Sequence, residues 1–154
     1  MQLWQLGRTA MPDILALPDC PRNPGGPYPF VSSSAVVMPE RKDGPLPRPL
    51  IEDEILEYIE LFGKAAYNAV HRAGFDGVEI HAAHGYLLDQ FLQDTCNKRT
   101  DQWGGSIENR TRFAWEVVRK VVSVVGEERT AIRITPFNTM QGKISSERSS
   151  PYLR

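Results

Sequence analysis

The sequence predicts an α/β fold in which parallel strands alternate with helices. Three observations carry this expectation. Short alternating apolar and polar runs stand at Gln2 to Leu6, Gly77 to Ala82 and Thr130 to Thr135. Two long stretches of helical periodicity separate the second run from the first and the third, which is the strand–helix alternation that gives parallel sheets covered by helices. Finally, the chain has 154 residues, whereas a closed eight-unit barrel takes about 250 and at least about 200. The expected architecture is therefore a partial TIM (β/α)8 barrel, with about three parallel strands, two helices and a long proline-rich excursion.

Each element has its own local cause. Gln2 to Leu6 reads as a short strand near the first residue. Residues 11 to 49 hold most of the chain's twelve prolines together with Gly25-Gly26, so regular helix is excluded there. Within that region, Tyr28 to Met38 has the β-branched content of a short hairpin or excursion. Glu52 to Arg72 reads as a helix, because Ile55, Ile59, Phe62, Ala66, Val70 and Ala73 recur every three or four residues. Glu52, Asp53 and Glu54 suit the positive end of its dipole, and Gly74 suits its C-terminus. No hydroxyl stands at the N-cap near Ile51, at a cost of about 1 kcal/mol of helix stability.

After the strand Gly77 to Ala82 a loop runs through Gly105. A second helix follows, with Ser106 as N-cap, an apolar stripe of Phe113, Val117, Val121 and Val125 (with Val118 and Val122), and Gly126 as its stop. In the last strand, Ile132 and Ile134 take the helix-facing side and Arg133 the inward side. Glu79 and His81 share the inward parity in the strand before it. An inward arginine is costly unless a charge or an acceptor-rich ligand meets it.

Composition limits the partners. The chain is 41% hydrophobic and 24% charged, with a formal net charge of -1. This balance gives no electrostatic reason to expect nucleic acid or an anionic membrane. No apolar run approaches the roughly 20 residues of a membrane span. The N-terminus lacks the pattern of a signal peptide. Cys20 and Cys96 fit no metal spacing and read as free thiols, so a cytoplasmic location is expected.

The chemistry concentrates around one strand end. His81 closes the strand Val78 to His81 with an inward side chain, at the end where barrel enzymes keep their active sites. His84 and Tyr86 follow on the adjoining loop. An HxxH pair also suggests a metal site, with His71 as a third ligand. His71 belongs to the preceding helix, however, and no Cys or Glu completes a tetrahedral set, so no metal is expected.

Beyond these residues, the run from His81 to Leu92, Asn97 to Arg110 and the opening Gln2-Leu-Trp4-Gln-Leu-Gly-Arg8 resemble the old yellow enzyme family of FMN-dependent ene-reductases. The likeness covers roughly residues 1 to 142. Residues 143–154 lack apolar periodicity and are expected to be a disordered tail outside it. The resemblance implies that the strands are the third, fourth and fifth of the barrel. It implies FMN as cofactor, NAD(P)H as hydride donor and an activated alkene, an enone or enal, as substrate. His81 and His84 would donate to the substrate oxygen, with His81 also touching the flavin. Tyr86 would deliver a proton, since a phenol is protonated at neutral pH.

Gln2 and Arg133 would contact the pyrimidine half of the flavin, with an ion pair to Glu79 as the alternative for Arg133. Trp4 would line the substrate pocket, or else lie in the core. Asn97, Arg99, Asp101, Glu108, Asn109 and Arg110 would brace the loop and the second helix. Gln102-Trp103 and Asp94-Thr95-Cys96 depart from the family's usual residues, away from this chemistry. The family's phosphate-binding turn and its first two strands have no counterpart in these residues. The alternative expectation is thus a catalytically inactive barrel segment that does not retain FMN. A non-flavin hydrolase using the two histidines is a third expectation.

Overall fold

The computed structural model describes residues 1–16 and 28–137. Three parallel strands form the main sheet: β1 (Gln2–Leu3), β4 (Val78–Ala82) and β5 (Thr130–Ile134), in the order β1-β4-β5. The register pairs Gln2 with Glu79 and His81 with Arg133, so these four side chains share one face. The other face of β4 carries Val78, Ile80 and Ala82, each at most 4% exposed.

That apolar face is covered by α2 (Glu52–Tyr67) and α4 (Ile107–Val125), which also pack on each other. Phe113, Val117, Val121 and Val125 are buried, as the helical spacing predicts. Ile55, Ile59, Phe62 and Ala66 are buried in the same way, but Ala73 is exposed. The reason lies at Asn68–Arg72, where the helix widens into a π-type turn and the apolar phase slips. Gly63 of α2 faces α4 without a side chain, and a Cβ there would stand 2.8 Å from the Lys120 side chain. Lys120 crosses this point to reach Glu60 at 2.6 Å.

The helix ends follow their local chemistry. Without a hydroxyl at Ile51, α2 is capped from inside, by the Glu54 carboxylate accepting from the Ile51 N–H at 2.9 Å. Ser106 Oγ accepts from the Asn109 N–H at the start of α4. Gly126, at φ 91°, ends that helix.

Three features differ from the sequence expectation. The loop after β4 contains a short helix, α3 (Leu87–Leu92), whose six residues are all buried. The segment near Tyr28 to Met38 is not a hairpin. Its strand β2 (Val31–Ser32) pairs in parallel with β3 (Arg48–Pro49), and a short turn of helix, α1 (Pro12–Leu15), precedes it. Ile132 and Ile134 keep the predicted parity yet stay 44% and 47% exposed, because β5 lies at the edge of the sheet. Cys20 and residues 143–154 lie outside the described residues, while Cys96 is a buried free thiol within reach of the Ser33 hydroxyl. Among the described residues no helix is long and apolar enough to cross a membrane.

Candidate active site at the strand ends

The inner face of the sheet carries two adjoining groups of side chains. The first gathers at the C-terminal end of β4. His81 is buried at 6% exposure, and its Nε2 lies 3.5 Å from His84 Nδ1. The Tyr86 ring meets His81 edge-on at 5.0 Å between centroids. Trp4, just after β1, closes the group, edge-on to Tyr86 at 4.9 Å and tilted over His81 at 6.4 Å. Trp4 is 52% exposed, so it lines the open side of this cluster and is not a core residue.

Backbone contacts fix the imidazoles. The Ala83 N–H donates to His81 Nδ1 at 3.3 Å, which leaves the proton of the neutral ring on Nε2. Burial, then the neighbouring His84, hold His81 below the ordinary imidazole value, so it is neutral at pH 7. His84 adopts φ 53°, a left-handed conformation that costs a residue with a Cβ. That conformation is held by its own N–H, which donates to Thr135 Oγ1 just past β5 at 2.9 Å. Next to it, the Gly85 N–H donates to the buried Asp89 carboxylate at 2.7 Å.

The second group spans all three strands. Arg133 donates from Nε and Nη2 to the two oxygens of Glu79, each at 3.0 Å. The Gln2 side-chain amide donates to the same carboxylate. Arg133, then Gln2, hold the Glu79 carboxyl below the ordinary carboxylate range. The ion pair read as an alternative for Arg133 is therefore formed, with Gln2 as a third member.

Behind both groups, Gln90 of α3 ties the loops together. Its amide donates to Leu6 O and Gly85 O, and accepts from the Arg8 N–H and the Ser32 hydroxyl. Asn97 donates to Phe91 O and Trp103 O, and Arg99 to Leu50 O, the bracing expected of them. Arg110 braces the same loop through Leu92 O. His71 lies elsewhere, against Val124 O at 3.2 Å. Among the described residues no set of three His, Cys, Asp or Glu side chains could hold a metal.

Sequence reasoning did not find Asp89, Gln90 or Thr135. Asp89 and Gln90 sit in a helix without a polar face, and Thr135 acts through a contact between strands. Only the burial of polar residues inside an apolar run, Leu87 to Leu92, hints at the first two.

A parallel β/α segment with a polar rank on its concave side is part of a barrel. The chain belongs to the NADH:flavin oxidoreductase / NADH oxidase family, which it matches over residues 1–152. It is 54% identical over 142 residues to chanoclavine-I aldehyde reductase of Penicillium roqueforti, covering 92% of this chain and 36% of that protein. It is 49% identical over 153 residues to an NADP-dependent oxidoreductase of Aspergillus flavus, covering 99% and 38%. A probable inactive dehydrogenase of Claviceps purpurea is 52% identical over 142 residues, 92% of this chain and 35% of that one. Among solved structures, Old Yellow Enzyme from a Pichia species superposes with a TM-score of 0.84 at 41% identity, covering 98% of this chain and 39% of that one. Morphinone reductase in complex with tetrahydroNAD gives 0.79 at 42% identity, with 95% and 41% covered. The chain thus spans little more than a third of the length of these relatives.

The donor set fits the pyrimidine half of a flavin. An amide that both donates and accepts, at Gln2, and a guanidinium, at Arg133, flank Glu79 on an accessible face. These two residues would hold that edge of FMN, whose chemistry is hydride transfer.

Proposed function

We propose that the protein to which these residues belong is an NAD(P)H-dependent FMN oxidoreductase that reduces the activated C=C bond of α,β-unsaturated carbonyl compounds, enones and enals. The observation that supports this reading is the convergence of His81, His84 and Tyr86 on one strand end, beside Gln2 and Arg133. A neutral His81 presents Nε2–H, and with His84 it binds the carbonyl oxygen of the substrate. Hydrogen bonds to that oxygen draw electron density from the alkene and leave its β-carbon electron-poor. FMN, which Gln2 and Arg133 would hold, would supply hydride chemistry at that carbon, with NAD(P)H as the source of the hydride. The Tyr86 hydroxyl gives its proton to the α-carbon, and the phenolate regains one from solvent. The alkene gains one hydride and one proton and becomes a single bond. Trp4 lines the open side of the same cluster, against the Tyr86 and His81 rings. The free buried thiol at Cys96 supports a reducing, cytoplasmic setting.

The test is flavin uptake followed by enone turnover. Tyr86→Phe should leave flavin reduction by NADPH unchanged and lower reduction of 2-cyclohexenone by about 10²- to 10⁴-fold. Equal turnover by the variant would remove Tyr86 from the reaction. Retained flavin with no enone reduction would overturn the substrate class.

A second reading is a catalytically inactive segment that does not retain FMN. It is favoured by the 52% exposure of Trp4 on the inner face. A wild-type chain that stays colourless in excess FMN would establish it.

A further inference from the structure

We propose that Glu79 is a positioning residue that sets both the polarity and the charge of the pyrimidine-binding rank, an inference that rests on the flavin reading above. Three strands meet at this carboxylate: Gln2 from β1, Glu79 itself from β4 and Arg133 from β5. A carboxylate only accepts hydrogen bonds. The Gln2 amide must therefore turn its nitrogen toward Glu79 and leave its oxygen facing the open side as an acceptor. Arg133 in turn spends Nε and Nη2 on Glu79, in a two-pronged geometry that fixes the guanidinium plane. What remains for a ligand is the oxygen and the second N–H of Gln2 and the unspent N–H groups of Arg133, an acceptor with donors beside it. An imide edge, with an N–H between two carbonyls, requires that alternation.

Charge follows from the same contact. Glu79 offsets the cation of Arg133 before any flavin arrives, so the ring meets a nearly neutral pair. A reduced flavin carries negative charge on this edge, and a free guanidinium would favour it over the oxidised form. Glu79 thus limits how strongly the site prefers reduced flavin, which preserves the flavin's tendency to pass its hydride on.

The experiment measures the affinity of the full chain for oxidised FMN by fluorescence quenching and for reduced FMN anaerobically, in wild type, Glu79→Gln and Glu79→Asp. Glu79→Gln removes the charge at constant length and should shift selectivity toward reduced FMN by on the order of tenfold. Glu79→Asp keeps the charge and should retain the wild-type selectivity even where its shorter reach weakens binding of both forms. A merely structural role would weaken both redox forms equally in both variants, and that result overturns the proposal. So does unchanged selectivity in Glu79→Gln, or an equal shift in Glu79→Asp. A wild-type chain that binds neither form refutes the flavin reading itself and takes this inference with it, whereas binding with unshifted selectivity refutes only the role of Glu79.

Discussion

The two faces of β4 are built by different rules. On one, Val78, Ile80 and Ala82 lie under α2 and α4 in a continuous apolar cluster with Phe91, Phe113 and Val117. On the other, Glu79 and His81 hold neighbours from the two flanking strands and the following loop through directed contacts. Burial of apolar area is non-directional and scales with surface removed from water. The inner face is directional, and its half-exposed ion pair adds little to stability. One strand therefore carries a fold on one side and a chemistry on the other, and substitutions on the two sides should separate stability from reactivity.

The strongest test of that separation is Phe113→Ala. Phe113 is fully buried and meets Phe91 edge-on at 4.7 Å. Its loss should cost about 3–5 kcal/mol in urea unfolding. A cost under 1 kcal/mol would mean that the helices do not anchor the sheet. Gln90→Leu probes the seam between the faces, since it strips partners from two carbonyls, a hydroxyl and a backbone N–H. It should cost about 3 kcal/mol despite adding apolar surface. A neutral result would make the polar seam dispensable.

The smallest effect concerns pH. His81 in the folded chain lies below the usual imidazole value near 6.5. As pH falls, the unfolded chain binds the proton first, so this contribution to stability is complete above about pH 6.5 and is lost as pH falls through the folded value. Urea midpoints at pH 7.5 and 5.5 should converge in His81→Asn relative to wild type. Identical pH dependence in the two proteins would show that the imidazole is not held neutral by burial.

Much of this was legible in the residues. Period-two alternation placed Glu79, His81 and Arg133 on one face, and the strand register keeps them there. Helical spacing identified the buried residues Phe113, Val117, Val121 and Val125 of α4, while Val118 and Val122 at the margin of the stripe are only half-buried. What escaped was set by tertiary contact. α3 shows no polar side because all six of its residues are buried, so periodicity had nothing to detect. The β2–β3 ribbon consists of two residues in each strand, too few to alternate. The Glu79–Arg133 pair was foreseeable from neighbouring strands, but the share of Gln2 depends on a register that no local pattern encodes.

The left-handed turn at His84 has a consequence for assembly. Its amide hydrogen is received by a hydroxyl 51 residues further along, beyond the last strand. A chain emerging from the ribosome can form β1, β4 and the helix between them while that hydroxyl is still unmade. The turn around the second imidazole is then held only by its local bonds, Tyr86 N–H to Ala83 O and Gly85 N–H to Asp89. Thr135 adds a long-range tie to this turn, so the strand end reaches its full set of contacts only after β5 has been made.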